Sequence, residues 1–249
     1  MTAMERGLLV NWCENNGFIP LGNNAYGKHA SEVSYKAIRT SGSGGTTYRT
    51  ATGTGPLTWY HDGTPSGIDG LGGNVRDWVG GIRMVYGELQ ILANNNGADS
   101  LYSQAAGGLD WKAIKASDGA LITPDGSGTT AGSVKLDYIG SKLTYSTTIT
   151  YNYTNYVSCT FGNITADGSI GENAKLLLQA LGLMPFKQDP LSASNLCYWN
   201  GGEAERSFHC GGLYSSTSGG LATFLGSDAR SISSAALGFR SAFVELPSV

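Results

Sequence analysis

The sequence predicts an α+β fold in a single domain, and three observations support this prediction. Two segments, residues 2–16 and residues 172–181, have apolar residues at helical spacing. Several short runs are rich in β-branched and aromatic residues, as strands are. The chain between these runs is rich in Gly, Ser, Thr and Asn, with 37 glycines among 249 residues, which predicts much irregular structure.

The first helix is predicted over residues 2–16. Thr2 can cap it, and Glu5 stands three residues later, as in a capping box. Gly17 is a natural stop, because glycine accepts the left-handed conformation that often ends a helix. The chain thus opens within a helix, and we expect the natural protein to extend further upstream.

The middle of the chain contains one clear turn and one clear strand. Tyr86-Gly87 separates two apolar runs and predicts a hairpin. Residues 93–171 are the least assignable, and we interpret them as an insertion in the domain. Within them, a strand is predicted from residue 142 onward. Its packing face would carry alternate residues, namely Tyr145, Ile149, Tyr151 and Tyr153.

The second helix is predicted over residues 172–181, with its leucines on one face. Gly182 and Pro185 follow and are expected to end it. From residue 196 onward the pattern returns to short β segments and turns.

The composition excludes several classes of function. Charged residues make up 14% of the chain, against about 25% in typical domains. The net charge of −3 provides no attraction to nucleic acid or to an anionic membrane. No apolar run approaches the about 18 residues of a membrane helix, and no signal peptide is visible. We therefore expect neither a nucleic-acid partner nor membrane insertion.

The four cysteines stand at positions 13, 159, 197 and 210, without a Cys-x-x-Cys pair or zinc-finger spacing to a histidine. We interpret them as buried, reduced thiols that pack as small apolar residues. A single disulfide, for instance between Cys197 and Cys210, is the alternative.

Two motifs in the first third of the chain resemble the formylglycine-generating-enzyme-like superfamily. Thr-Ala-Met-Glu-Arg at 2–6 resembles its helix-opening T-x-x-E-W motif, with Arg6 in place of Trp. Gly-Asn-Val-Arg-Asp-Trp-Val at 73–79 resembles its G-N-V-W-E-W-V motif, with Arg76 and Asp77 in place of Trp and Glu.

The end of the chain carries the third motif. Cys-Gly-Gly-Leu-Tyr at 210–214 and Gly-Phe-Arg-Ser-Ala at 238–242 resemble the superfamily's R-G-G-x-W to G-F-R-x-A ending. Within the superfamily, the closer resemblance is to the variable proteins of diversity-generating retroelements and to related phage and prophage tail proteins. Those proteins also carry a stretch similar to residues 49–56, followed by Trp59 and His61-Asp62.

This resemblance implies a C-type-lectin-type fold, in which two helices pack against small antiparallel sheets with much irregular chain. It also implies that the C-terminal segment, residues 196–245, forms an exposed binding face on a static backbone. The ligand of such a face is usually a surface protein or a glycan of a cell.

The candidate ligand-binding residues lie between the Gly-Gly motif at 211–212 and the Gly-Phe-Arg motif at 238–240, which we call the two anchors, or just before the first anchor. They combine rigid aromatic rings with adaptable hydroxyl groups, the composition of antibody paratopes. These residues are Tyr198, Trp199, Phe208, His209, Tyr214, Ser215, Thr217, Ser227, Ser231 and Ser233. In the closing motif we expect Phe239, Ala242 and Val244 to be buried and Arg240 to pair with a carboxylate. An ordinary Ser/Gly loop packed on a core is the alternative interpretation of this segment.

A calcium site is a further hypothesis from the resemblance. Relatives with the Gly-Asn-Val motif can bind Ca²⁺ there, and Asn74 and Asp77 would offer the hard oxygen ligands that it prefers. The alternative is that Asn74 satisfies turn amides and Asp77 pairs with an arginine.

No catalytic residue is assigned. Formylglycine-generating enzymes use two thiols after the Gly-Gly motif to bind copper, whereas here no cysteine follows Cys210 and Ser241 stands within the closing motif. A hydroxyl cannot replace a soft thiolate as a ligand for Cu(I). The three histidines also lack a nucleophile-elbow or H-E-x-x-H motif. We therefore predict that the protein is not an enzyme.

These observations predict a receptor-binding protein of a phage or prophage tail, located on the virion tail or on a bacterial cell surface. We expect it to bind a host surface protein or glycan as a homo-oligomer such as a trimer, since avidity raises weak affinity. The first alternative is a structural tail protein on a degenerate enzyme fold, whose C-terminal face contacts other tail subunits. The second is an oxidase of the formylglycine-generating type.

Overall fold

The computed structural model describes residues 1–41, 48–151 and 155–240. Three predicted packing residues, Tyr153, Ala242 and Val244, and the motif residue Ser241 lie outside these ranges. None of the helices within these ranges has both the length and the apolar character that crossing a bilayer requires.

Both predicted helices are present. Helix α1 is Ala3–Asn16, and its capping box is formed as expected: the Glu5 N–H donates to Thr2 Oγ1, and the Thr2 N–H donates to Glu5 Oε2. Gly17 ends the helix at φ 70°, in the left-handed conformation. Helix α2 is Glu172–Ala180 and packs against α1.

Sixteen strands lie within the described residues. In chain order they are β1 Gly22–Asn23, β2 Arg39–Ser41, β3 Arg49–Thr50, β4 Gly72–Gly73, β5 Arg76–Val85, β6 Glu88–Leu92, β7 Trp111–Ile114, β8 Leu121–Ile122, β9 Lys135–Ile139, β10 Lys142–Ser146, β11 Val157–Thr160, β12 Thr165–Ala166, β13 Leu196–Trp199, β14 Arg206–Cys210, β15 Phe224–Asp228 and β16 Leu237–Phe239.

Twelve of these strands form one mixed sheet, in the order β11-β13-β15-β14-β5-β6-β9-β10-β12. Strand β16 pairs with β5, β7 pairs with β6, and β8 pairs with β7. Strands β1 with β4 and β2 with β3 form two further sheets of two strands each.

The mixture of helices and strands fits the predicted α+β class, but the prediction of small antiparallel sheets is wrong. The long strand β5 joins what would otherwise be separate sheets. Residues 77–84 of β5 pair with β14, residues 76–78 pair in parallel with β16, and residues 82–85 pair with β6. The register between β5 and β14 shifts around Gly80 and Gly81, where β5 has residues without a partner on β14. Such a bulge lets a strand bend without ending.

The middle of the chain agrees with the sequence in part. Tyr86 and Gly87 both have positive φ, 45° and 83°, as a two-residue hairpin turn requires. The strand predicted from residue 142 ends early, at Ser146, so its alternation stops after buried Tyr145. The reason is Asp137, whose carboxylate accepts the N–H groups of Thr150 and Tyr151 and turns the chain away from the sheet. The predicted insertion, residues 93–171, contributes strands β7 to β12 to the main sheet.

The core lies between the helices and the large sheet and includes all four cysteines, which are free and buried, as interpreted. Burial raises the pKa of Cys13 and of Cys210 to about 11. Arg6, where the resembling motif has Trp, is also buried, and its Nη2 donates to the carbonyl oxygens of Leu71 and Leu221. This arginine therefore ties α1 to two distant loops.

Candidate functional site

A cavity of about 290 Å³ opens beside β13 and β15, within the predicted C-terminal segment. Hydroxyl groups and tyrosine rings line it together with one ion pair. The lining residues are Arg76, Tyr156, Leu196, Tyr198, Gly212, Leu213, Ser216, Ser218, Gly219, Thr223, Leu225, Ser227 and Asp228. We call this cavity the β13 pocket.

The alternation along β13 decides which of its side chains reach the pocket. Leu196 and Tyr198 line it, whereas Cys197 and Trp199 point to the opposite face of the sheet and are fully buried. The Trp199 ring stacks on the Phe224 ring, with the centroids 6.1 Å apart. Trp199 therefore belongs to the core, and its prediction as a contact residue is wrong.

Two further predicted contact residues are also inside the protein. Phe208 and His209 lie on β14, a central strand, and both are buried. The His209 ring meets the Trp78 ring edge-on at 4.0 Å. Because β14 has strands on both sides and is covered on both faces, neither side chain can touch a ligand from solvent.

One ion pair lies at the wall of the β13 pocket. Arg76 Nη1 is 3.2 Å from Asp228 Oδ2, and His209 Nδ1 approaches the same oxygen at 3.4 Å from the interior, without hydrogen-bond geometry. The imidazole and then the guanidinium lower the pKa of Asp228. The carboxylate is therefore held in its charged form, available to accept hydrogen bonds at the pocket surface.

Two pairs of tyrosines mark this side of the molecule. Tyr156 and Tyr198 meet edge-to-face with ring centroids 5.7 Å apart, and Tyr156 is 64% exposed. Tyr26 and Tyr214 meet in the same way at 6.1 Å. Such contacts favour fixed ring orientations. The rings thus offer ordered apolar surface with a hydroxyl at one end.

The other predicted contact residues are distributed along the surface. Ser227 lines the pocket together with Tyr198, and Tyr214 directly follows Leu213, which also lines it. Ser215, Thr217, Ser231 and Ser233 are exposed but outside the pocket lining. The predicted segment therefore contributes a surface, and only part of it is concave.

The sequence-based prediction did not include Arg76, Tyr156 and Asp228, which line the pocket, or Tyr26, whose ring contacts that of Tyr214. A signal existed for the first, because Arg76 replaces a Trp of the resembling motif. Tyr156 stands in a tyrosine-rich stretch after residue 145, but its position beside Tyr198 depends on the pairing of β11 with β13.

Two predictions for the closing motif fall on described residues, those for Phe239 and Arg240. Arg240 Nε lies 3.4 Å from Asp77 Oδ2, and its Nη2 donates to the Gly70 carbonyl at 3.0 Å. Arg240 therefore pairs with a carboxylate, as expected. Phe239 is 82% exposed, so its predicted burial is wrong. The short strand β16 pairs with the beginning of β5, and the Phe239 ring at its end is not covered by the other described residues.

Asn74 and Asp77 do not fit a calcium site. Asn74 Oδ1 accepts from the Thr50 N–H at 2.9 Å and from Asn23 Nδ2 at 3.2 Å, while its Nδ2 donates to the Thr50 carbonyl at 3.0 Å. Asp77 faces the Arg240 guanidinium. The Asn74 oxygen is thus already engaged, and a cation at Asp77 would have to compete with the neighbouring guanidinium.

Asn74 instead connects the C-terminal segment to the N-terminal loop. Its backbone carbonyl accepts the Tyr214 N–H at 2.9 Å, and its own N–H donates to the Asn23 carbonyl at 2.6 Å. Its φ of 63° is left-handed, which asparagine tolerates better than most residues. The Gly-Asn-Val turn therefore holds the C-terminal segment against the N-terminal loop.

The pocket carries groups that can bind a polar ligand. The thiols are buried, and no three His, Cys, Asp or Glu residues in the described ranges cluster as metal ligands would. The pocket combines a carboxylate held charged, a guanidinium, several hydroxyls and two oriented rings. These groups can hold a polar ligand by hydrogen bonds and cover its apolar parts. Comparison of the sequence with protein-family models and with curated proteins gave no match.

Proposed function

We propose that the chain is a non-catalytic ligand-binding protein that uses the β13 pocket and the surface around it. More particularly, we propose that it is a receptor-binding protein of a phage or prophage tail, which attaches to a host surface protein or glycan. The observation that carries the proposal is the pocket itself, which is lined by the Tyr156–Tyr198 pair, with exposed Tyr156, and by the Arg76–Asp228 ion pair.

The backbone around the pocket supports a binding role. Gly211 and Gly212 have φ of 93° and 87°, and a Cβ on Gly212 would come within 2.6 Å of the Gly219 Cα. Only glycine allows this close approach of two chain segments. A backbone held in this way presents its side chains with little entropy to lose on binding.

The resemblance supplies the biological setting of the proposal. The capping box at Thr2, the Gly-Asn-Val turn and the Gly-Gly to Gly-Phe-Arg ending are the parts of the chain that resemble retroelement variable proteins and tail proteins. In that setting we propose a C-type-lectin-type fold enlarged by strands β7 to β12, a position on the virion tail or bacterial surface, and a homo-oligomer such as a trimer.

The test uses fluorescently labelled protein and a panel of intact bacterial cells, measured by flow cytometry. We expect saturable binding to at least one cell type, and a loss of about tenfold or more in Y156A and Y198A. Y102A, a partly exposed tyrosine outside the pocket lining, is the matched control.

Treatment of the cells before binding identifies the ligand class. Protease sensitivity would indicate a protein receptor, and periodate sensitivity a glycan. If no cell type binds the wild-type protein, or if Y156A and Y198A bind as well as Y102A, the proposal is wrong. If Y198A lowers the yield of assembled tails while the tails that do form adsorb normally to cells, the structural role is favoured instead.

A further inference from the structure

Tyr26 has a backbone conformation that its residue type does not explain. Its φ is 56°, in the left-handed region, where a bulky aromatic residue is an outlier. Its side chain is 47% exposed, so burial does not explain why a tyrosine stands there. Strained positions of this kind persist where the surrounding structure holds them, and they cluster at binding and catalytic sites.

The loop around Tyr26 is held by bonds that do not involve its side chain. The Gly27 N–H donates to Asn23 Oδ1 at 2.7 Å, and the Ala25 N–H donates to the Lys28 carbonyl at 2.9 Å. The Tyr26 N–H donates to the Tyr214 carbonyl at 2.7 Å. A glycine at position 26 would keep all of these bonds and would adopt the same φ without strain.

The Tyr26 ring, by contrast, has one specific neighbour. It meets the Tyr214 ring edge-to-face at 6.1 Å, and Tyr214 belongs to the predicted contact segment next to the pocket residue Leu213. The same loop is fastened to this segment a second time, where Asn24 Nδ2 reaches the Thr217 carbonyl at 3.4 Å. The N-terminal loop therefore presents one half-exposed ring at the edge of the C-terminal face.

We propose that Tyr26 is a ligand-contact residue and that Tyr26 and Tyr214 form a second aromatic subsite of the binding face. This inference rests on the proposed function. The subsite suits an apolar, C–H-rich face of the same ligand that enters the β13 pocket, because two ordered rings provide contact area at low entropy cost. The backbone strain at Tyr26 then arises because a tyrosine occupies a position whose left-handed φ favours glycine.

The chain contains a matched control in Tyr86. It also has a positive φ, 45°, and is 45% exposed. Its conformation is explained by the hairpin turn between β5 and β6, and its N–H donates to the Glu203 carbonyl, away from the pocket lining. Replacing either tyrosine by glycine removes one exposed ring and one strained φ, but only Tyr26 adjoins the proposed subsite.

The test compares Y26G, Y26F and Y86G on the cell type of the panel that binds the wild-type protein most strongly. We expect Y26G to lose at least about fivefold in affinity, Y26F to stay within about twofold, and Y86G to bind as the wild type does. Melting temperatures of Y26G and Y86G should stay within a few degrees of the wild type, since each variant relieves strain as it removes a ring.

The outcomes separate this inference from the proposed function. If Y156A and Y198A lose binding while Y26G binds normally, only the second subsite is wrong. If the wild type binds no cell, or if all these variants bind normally, both proposals fail. If Y26G does not fold, Y26N replaces it, because asparagine tolerates the left-handed region, and the same comparison of affinity applies.

Discussion

Arg76 Nη1 lies 3.2 Å from Asp228 Oδ2, which joins the Gly-Asn-Val motif to the C-terminal segment at the wall of the β13 pocket. The two residues are 152 positions apart in the chain. Arg76 stands where the resembling motif has Trp, so this departure from the motif places a charge at the pocket. The pair therefore joins two distant parts of the chain and places two charges at the wall of the proposed binding pocket.

This ion pair predicts a pH-dependent contribution to stability. The pKa of Asp228 is lower in the folded protein than in the unfolded chain, because His209 and Arg76 favour the carboxylate. The stabilisation is therefore complete above the unfolded value of about 3.9 and is lost as the pH falls through the lower folded value.

We expect D228N to lower the free energy of unfolding by about 1–3 kcal/mol at pH 7, and the difference from the wild type to shrink below about pH 4. Urea unfolding at pH 7, 5 and 3 measures it. A difference that is as large at pH 3 as at pH 7 would show that the charge of Asp228 is not its cause.

Replacement by alanine is expected to destabilise the protein much more at Gly212 of the Gly-Gly anchor than at Gly107. G212A would place a methyl group against the Gly219 backbone at a φ of 87°, and we expect it to destabilise the protein by about 2 kcal/mol or more and to weaken binding. Gly107 has neither a positive φ nor an atom within 4 Å of its missing Cβ, so G107A serves as the control and should change stability by under about 0.5 kcal/mol. Thermal unfolding of both variants checks the prediction, and equal melting temperatures would contradict it.

Buried Arg6 predicts a stability loss that a surface cation would not cause. R6M leaves the Leu71 and Leu221 carbonyls without their arginine donor, and we expect it to cost about 2–4 kcal/mol in the free energy of unfolding. The exposed Lys36 provides the control, since K36M should cost under about 0.5 kcal/mol. Urea denaturation measures both, and an R6M value as small as that of K36M would refute the proposed tie.

The engaged oxygens of Asn74 and Asp77 predict that calcium does not stabilise the protein. We expect the same melting temperature in 1 mM EDTA and in an excess of CaCl₂, because a bound ion would raise stability according to its occupancy. Differential scanning fluorimetry measures this. A rise with calcium that N74A abolishes would restore the calcium hypothesis.

Short-range signals in the sequence were sufficient for helix α1 and for the hairpin turn. The Thr2–Glu5 capping box and the Tyr86-Gly87 turn depend on bonds and dihedral angles within a few residues, and both are present as predicted. The burial of the cysteines also followed from their chemistry. These features need no knowledge of distant chain segments.

The local sequence does not show on which face of the sheet the side chain of a strand residue lies. Tyr198 and Trp199 are adjacent aromatic residues, and either could have been the exposed one. Trp199 is buried because β13 lies between β11 and β15 with its Cys197–Trp199 side on the core. Only the packing of the helices against one side of the sheet decides this.

The sequence by itself determined that the C-terminal segment combines aromatic residues, hydroxyl groups and glycine anchors. The tertiary structure alone decided which residues share the proposed binding face, bringing Tyr26, Arg76 and Tyr156 to Tyr214, Asp228 and Tyr198. These contacts join residues far apart in the chain. They depend on strand pairing and loop closure, which no local pattern of residues encodes.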